Sequence, residues 1–160
     1  GPFGWMIDDA DGDLVTDTVD NIVQGRPICG FKLDIEGGEI DALDGARETL
    51  AASKPPILME VNGYCLMQHG HRSEDLLKKV AEHGYTSYVP INGTLRKIDP
   101  EALFPFCNID VICIHRDNAS RYAFADNECM EPFELTDLAH LVCQHSNDDC
   151  KSYFKMIGIE

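Results

Sequence analysis

The sharpest chemical feature of the sequence is the run Phe31-Lys32-Leu33-Asp34-Ile35-Glu36-Gly37-Gly38-Glu39. Three acids at alternate or near-alternate positions close an apolar stretch. If that stretch is a strand, Asp34 and Glu36 point to one face, because strand side chains alternate with a period of two. Two neighbouring carboxylates repel, which raises the pKa of one or recruits a cation or a lysine. Either outcome suits removal of a proton from a hydroxyl, or the holding of a divalent cation. Lys32 falls on the same face as Asp34 and is placed to neutralise the pair. The plainer alternatives are a lysine that snorkels to solvent and acids that only cap turns or pair locally. Gly37 and Gly38 let the backbone turn sharply into a following helix. Glu39 then lies in that helix's first turn, where negative charge is favoured.

A second group follows. Glu60 and Asn62 close the next apolar stretch, Ile57 to Val61. In an open α/β sheet, ligands bind beyond the carboxyl ends of the strands, and adjacent strand ends face one crevice. Glu60 and Asn62 are therefore candidates to hold substrate hydroxyls, against the alternative that Glu60 satisfies local backbone. His69 and His71 flank Gly70 in what reads as a loop, Asn62 to Gly70. A histidine near the crevice is a potential general base, while exposed loop histidines are the commoner case. Cys113-Ile114-His115 and the segment His140 to His145 contain metal-type residues, but neither has zinc-ligand spacing.

These groups need elements to place them. Val15 to Gln24 has near-helical apolar spacing, with Thr16 and Asp17 as caps. Ile28 to Ile35 reads as a strand, Glu39 to Ala52 as one helix, and Ile57 to Val61 as a short buried strand. Ser73 caps a helix through His83, which Gly84 stops. Tyr85 to Ile91 is a strand, Asn92-Gly93 a turn, and Asn108 to His115 a further strand. The alternation implies parallel crossovers with helices on both faces of the sheet, and the last two strands are expected as an antiparallel edge pair. Beyond residue 117, Glu134 to His145 and Asp149 to Met156 are expected helices.

Composition narrows the function. The chain has 160 residues, 44% of them hydrophobic and 26% charged, a globular mix that suits one folded domain. The net charge of -15 repels phosphate backbones and anionic lipid heads, which argues against nucleic acid as a partner. No apolar run is long enough to cross a bilayer, and no segment has the pattern of a secretory leader. Gly1-Pro2 matches the scar left by removal of a fusion tag. The cysteines, Cys29, Cys65, Cys107, Cys113, Cys129, Cys143 and Cys150, are odd in number and widely spaced. They read mostly as reduced core residues of an intracellular, cytoplasmic protein, with a Cys143–Cys150 disulfide left open.

The central run resembles the FkbM family of S-adenosylmethionine-dependent methyltransferases. The family pattern is a strand end Lys-x-Asp-x-Glu-Gly-x-Glu, a helix with Leu-x-Gly-Ala, and a Pro-led strand ending in Glu. Here these are Lys32, Asp34, Glu36, Gly37 and Glu39, then Leu43, Gly45 and Ala46, then Pro56 and Glu60. Thr18-Val19-Asp20-Asn21 is similar to the family's Thr-Leu-Asp-Asp step, and Gly84-Tyr85 and the strand at Asn108 to Ile114 also fit. The resemblance implies an α/β, Rossmann-like methyltransferase sheet, present in part as its C-terminal strands, over residues 14–117. Residues 1–13 are then a flexible leading segment, and 118–160 a helical C-terminal extension. It implies transfer of a methyl group from S-adenosylmethionine to a hydroxyl of a sugar or other small acceptor. Asp34, Glu36 and Glu60 would be catalytic, and Lys32, Glu39, Asn62, His69 and His71 would bind the acceptor. The family's glycine-rich donor loop is not found after any strand, so the donor half is expected from a missing N-terminal half or a partner. The alternative is a non-catalytic half-sheet that dimerises or docks through an exposed edge.

Overall fold

The computed structural model describes residues 16–91, 94–100, 108–122 and 125–129. Helix α1 (Val19–Val23) starts where the Thr18 hydroxyl accepts a hydrogen bond from the N–H of Asn21 at 3.2 Å, so Thr18 is the cap, not Thr16 or Asp17. Strand β1 (Phe31–Leu33) is shorter than the apolar run suggests. Ile28 donates its N–H to the Ser53 hydroxyl at 3.2 Å, which ties the start of that run to a helix end rather than to the sheet. Cys29, expected in the core, is exposed for the same reason.

The single helix expected over 39–52 is two, α2 (Glu39–Asp44) and α3 (Arg47–Ser53). Gly45 breaks it. A Cβ at that position would lie 3.3 Å from the Thr18 Cβ, and the Gly45 carbonyl accepts from the N–H of Asp20 at 2.8 Å. The Asp20 carboxylate then accepts from the N–H groups of Glu48 at 3.0 Å and Thr49 at 2.8 Å, capping α3 from α1.

Strand β2 (Ile57–Asn62) runs straight into helix α4 (Gly63–Gln68), where a loop was expected. Asn62 accounts for the difference. Its side-chain oxygen accepts from the N–H of Cys65 at 3.2 Å and starts the helix. Helix α5 (Ser73–Glu82) and strands β3 (Tyr85–Ile91) and β5 (Asn108–His115) lie where expected, but Ser73 is the first helical residue and Arg72 the cap, its N–H donating to the Asp75 carboxylate at 2.8 Å. Strand β4 (Thr94–Lys97) was not expected; it pairs back on β3. A 3-10 turn (Arg116–Arg121) and strand β6 (Ala125–Cys129) follow. The sheet thus continues past residue 117, and the first regular element of the expected helical extension after the turn is a strand. The helices expected at 134–145 and 149–156, and the turn at Asn92-Gly93, lie outside the described residues.

The architecture is α/β with an open mixed sheet of strand order β1-β2-β5-β3-β4-β6. β1 and β2 are parallel, and β5 is antiparallel to both β2 and β3. The expected antiparallel pair is therefore present but interior, since β5 is inserted between β2 and β3 and not at an edge.

Burial follows the pleat. Leu33, Ile57, Met59, Val61, Ile109, Val111 and Cys113 face one core, which also holds Leu43 and Leu50 of α2 and α3, Leu66 of α4, and Leu76, Leu77 and Val80 of α5. Among the described residues the buried aliphatic side chains of α2, α3, α4 and α5 join this one core, and not cores on both faces as the alternation suggested. The opposite face carries a smaller cluster of Tyr88, Leu95 and Ile114, with Leu58 left 42% exposed. No helix among the described residues is long and apolar enough to cross a membrane.

Candidate functional site

The acidic run leaves the sheet as β1 ends. Leu33 is the last paired residue, and Glu36 sits in a turn with φ 56, a left-handed conformation that costs a non-glycine residue energy. Alternation therefore does not set the direction of Glu36; the turn does. One carboxylate oxygen from each of Asp34, Glu36 and Glu60 nevertheless lies within 4.8 Å of the others. Asp34 comes from the end of β1, Glu36 from the turn, and Glu60 from the face of β2 opposite Met59 and Val61. The cluster therefore lies beside the carboxyl ends of two adjacent parallel strands.

Lys32 binds this cluster directly, its ammonium 2.7 Å from Asp34 Oδ2. The ion pair, with Asp110 and Glu60 beyond it, holds the lysine pKa above its ordinary value. Asp110 faces Glu60 across the β2–β5 ladder, and it was missed in the sequence. Alternation along β5 places Asp110 on the polar side, but only the pairing of β5 with β2 brings it beside Glu60. Glu60 is half-buried. Burial pushes its carboxyl above the usual glutamate range, and the charges of Asp34, Glu36 and Asp110 push the same way.

Glu36 is held from the β2–α4 junction. Its Oε2 accepts from the Cys65 thiol at 3.1 Å and from the Asn62 amide at 3.4 Å. Burial, followed by the bond to the Glu36 carboxylate, pushes the Cys65 thiol up to about 12. It is a donor and not a nucleophile. The sequence singled out no role for Cys65, which fell in the expected loop from Asn62 to Gly70; the available signal was its position three residues after a helix-capping asparagine. Gly37, at φ 109, lets the turn press against α4. A Cβ there would lie 2.6 Å from the Cys65 carbonyl oxygen and 2.5 Å from His69 Cδ2. His69 therefore flanks the turn. His71 is tied by its backbone, whose N–H donates to the Leu66 carbonyl at 2.9 Å, and its side chain has no described contact with the acids.

Glu39 plays another part. It is 1% exposed, and its carboxylate accepts from the N–H of Ile35 at 3.1 Å and of Gly37 at 3.1 Å. It closes the turn from inside, with no surface left to meet an acceptor. Of the sequence candidates, the fold thus gathers Lys32, Asp34, Glu36, Glu60 and Asn62. It sets His69 at the border, buries Glu39 beneath, and leaves His71 apart.

Chemically, the cluster offers several hydroxyl acceptors, one carboxyl that takes a proton more readily than usual, and one ammonium. Ile35, between Asp34 and Glu36, and Tyr64 and Met67, on α4, are 48%, 49% and 50% exposed. No family model, curated protein or solved structure matches this chain.

Proposed function

We propose that this chain forms the acceptor side of an S-adenosylmethionine-dependent O-methyltransferase of the FkbM type, built on part of a Rossmann-like sheet. The observation that carries the proposal is the convergence of Asp34, Glu36 and Glu60 at the carboxyl ends of β1 and β2. In an open α/β sheet that is where ligands bind. Of the residues that resemble the family's motif, Lys32, Asp34, Glu36, Gly37, Glu39 and Glu60 lie at or directly beneath this place, while Leu43, Gly45 and Ala46 belong to α2 and its junction with α3.

Glu60 is the residue best fitted to receive a hydroxyl proton, since burial and its acidic neighbours raise its affinity for one. Asp34 and Glu36 accept hydrogen bonds from acceptor hydroxyls, and Asn62 fixes Glu36. The acceptor class is a sugar or another small polyhydroxylated molecule, because several closely spaced carboxylates select for several hydroxyl donors. Holding a hydroxyl in a fixed direction is itself a large part of catalysing a displacement.

S-adenosylmethionine supplies the methyl group when bound. The turn after β1 does not fit it, because the backbone N–H groups of Ile35 and Gly37 are already bonded to Glu39. A divalent cation is compatible with the Asp34, Glu36 and Glu60 oxygens, although Lys32 already supplies a positive charge at Asp34.

Titration of the protein with methyl glucoside and a panel of polyols, followed by amide NMR, tests the acceptor site. Shifts centred on Asp34 to Glu36 and Glu60 to Asn62, lost in Glu60→Gln, support it. The companion assay seeks a methyl group transferred from S-adenosylmethionine to the bound polyol. Absence of both polyol binding and transfer would falsify the proposal.

A further inference from the structure

Glu36 differs from the other acids of the cluster in being gripped from another element. The Cys65 thiol and the Asn62 amide both donate to its Oε2, at 3.1 Å and 3.4 Å. These two donors are themselves linked, since the Asn62 side-chain oxygen accepts the N–H of Cys65 at 3.2 Å. The grip acts on a strained residue, because Glu36 has φ 56. Gly37 next to it is pressed against the Cys65 carbonyl and His69, so the turn has no room to slide toward α4. Asp34, by contrast, is partnered by Lys32, with both side chains largely open to solvent.

We infer that Cys65 is a positioning residue whose thiol, with the Asn62 amide, keeps the Glu36 carboxylate turned toward Asp34 and Glu60. A thiol suits this task. It donates one hydrogen bond without adding a charge, and it fits a site only 5% exposed. The competing role for a buried cysteine is that of a small hydrophobe. The two roles separate on substitution. A hydrophobe is replaced better by alanine than by serine, whereas a donor is replaced by serine and lost with alanine. The use of the positioned carboxylate in binding an acceptor rests on the function proposed above; the hydrogen bond and its effect on Glu36 do not.

Two measurements on the whole chain, made without acceptor or methyl donor, test the inference. The S–H stretching band of Cys65 is isolated as the infrared difference between the protein and Cys65→Ser. It is expected at lowered frequency, and it moves toward the free-thiol value in Glu36→Gln, where the acceptor has lost its charge. The side-chain amide resonances of Asn62 are expected to shift in Cys65→Ala and to return in Cys65→Ser, with the other backbone amides in place. A band at one frequency in the protein and in Glu36→Gln overturns the inference. So do Asn62 resonances unmoved by Cys65→Ala. If Cys65→Ala does not fold, the infrared comparison decides alone, because it needs only the serine and Glu36→Gln proteins. Failure of methyl transfer would sink the methyltransferase proposal and leave these results standing. An unmoved band would do the reverse.

Discussion

At the scale of single residues, the cluster stores an electrostatic cost. Burial, then Asp34, Glu36 and Asp110, raise the pKa of Glu60. The folded chain therefore keeps that proton to higher pH than the unfolded chain does. Between the two values the folded state binds more protons, so stability falls as pH rises, and the cost is complete above the folded pKa. Glu60→Gln removes the charge while keeping the shape. The variant is expected to melt about 1–2 °C higher at pH 7. The gain should shrink as pH falls toward the ordinary glutamate pKa, about 4.3. A variant that gains stability while losing polyol binding is what a site residue gives, whereas a structural residue loses both. A Tm for Glu60→Gln at or below that of the parent at pH 7 would contradict this account. His115 has the opposite sign. Burial, with Lys54 and Arg116, lowers its pKa against the pull of Asp117, and its Nδ1 accepts from the N–H of Asp117 at 3.2 Å. Its neutral form belongs to the folded state. Stability is lost as pH drops below the unfolded histidine value, about 6.5. Melting curves between pH 7.5 and 5.5 should fall less steeply for His115→Gln than for the parent. Some slope will remain, because His83 is lowered in the same way by burial.

At the scale of elements, the site depends on short pieces held by one another. α1 has no buried residue, and α3 has only Thr49 and Leu50 buried, yet the Asp20 carboxylate joins the two through two backbone N–H groups. Asp20→Ala removes the cap of α3 and should cost about 1 kcal/mol. That corresponds to a Tm lower by about 2–4 °C, measured by circular dichroism. Gly37→Ala should cost more, about 2–3 kcal/mol, because it adds a Cβ against the Cys65 carbonyl and places a side chain at φ 109. If Gly37→Ala melts within a degree of the parent, the turn is not packed against α4 as described. The same elements show what the sequence made legible. β3, β5 and α5 were readable within a residue or so, because their apolar periods run long enough to be unambiguous. β1 and the split of α2 from α3 were not. Those boundaries are set by Ser53, Thr18 and Asp20, residues distant in sequence whose hydrogen bonds override local periodicity. α4 hid because its start, Asn62-Gly63, has the composition of a loop. For the site, the acidic motif was legible, and so were Lys32 and Asn62. Asp110 and Cys65 were not, since their place depends on β5 pairing with β2 and on how α4 leaves the sheet.

At the scale of the molecule, the dominant quantity is charge. The chain carries 28 acidic against 13 basic residues, for a net -15. At the ends of β1 and β2, Asp34, Glu36 and Glu60 gather, with Lys32 and Asp110 beside them. Salt acts on this in two opposed ways. It weakens exposed pairs such as Lys32–Asp34 and Lys54–Asp117, and it relieves repulsion across the whole surface. Exposed pairs contribute little, whereas a large net charge works against the compact state throughout. Relief should therefore win. Raising NaCl from about 0.01 M to about 0.15 M shortens the Debye length from about 30 Å to about 8 Å, and the Tm should rise. Glu60→Gln, which takes one charge from the crowded face, should show a smaller rise. A Tm that falls with salt would mean that pairing outweighs repulsion. The same balance governs self-association. Among the described residues the outer side of β1 has no strand beside it, but β1 is only three residues long and carries exposed Lys32. Short edges bearing lysine resist pairing with another chain, and two copies of like net charge repel most strongly when salt is low. Light scattering at about 0.01 M NaCl should therefore give a monomer. If copies do pair through β1, the dimer should grow as salt rises and should increase further in Lys32→Val. A dimer that is strongest at the lowest salt would place its interface on opposite charges, away from this edge.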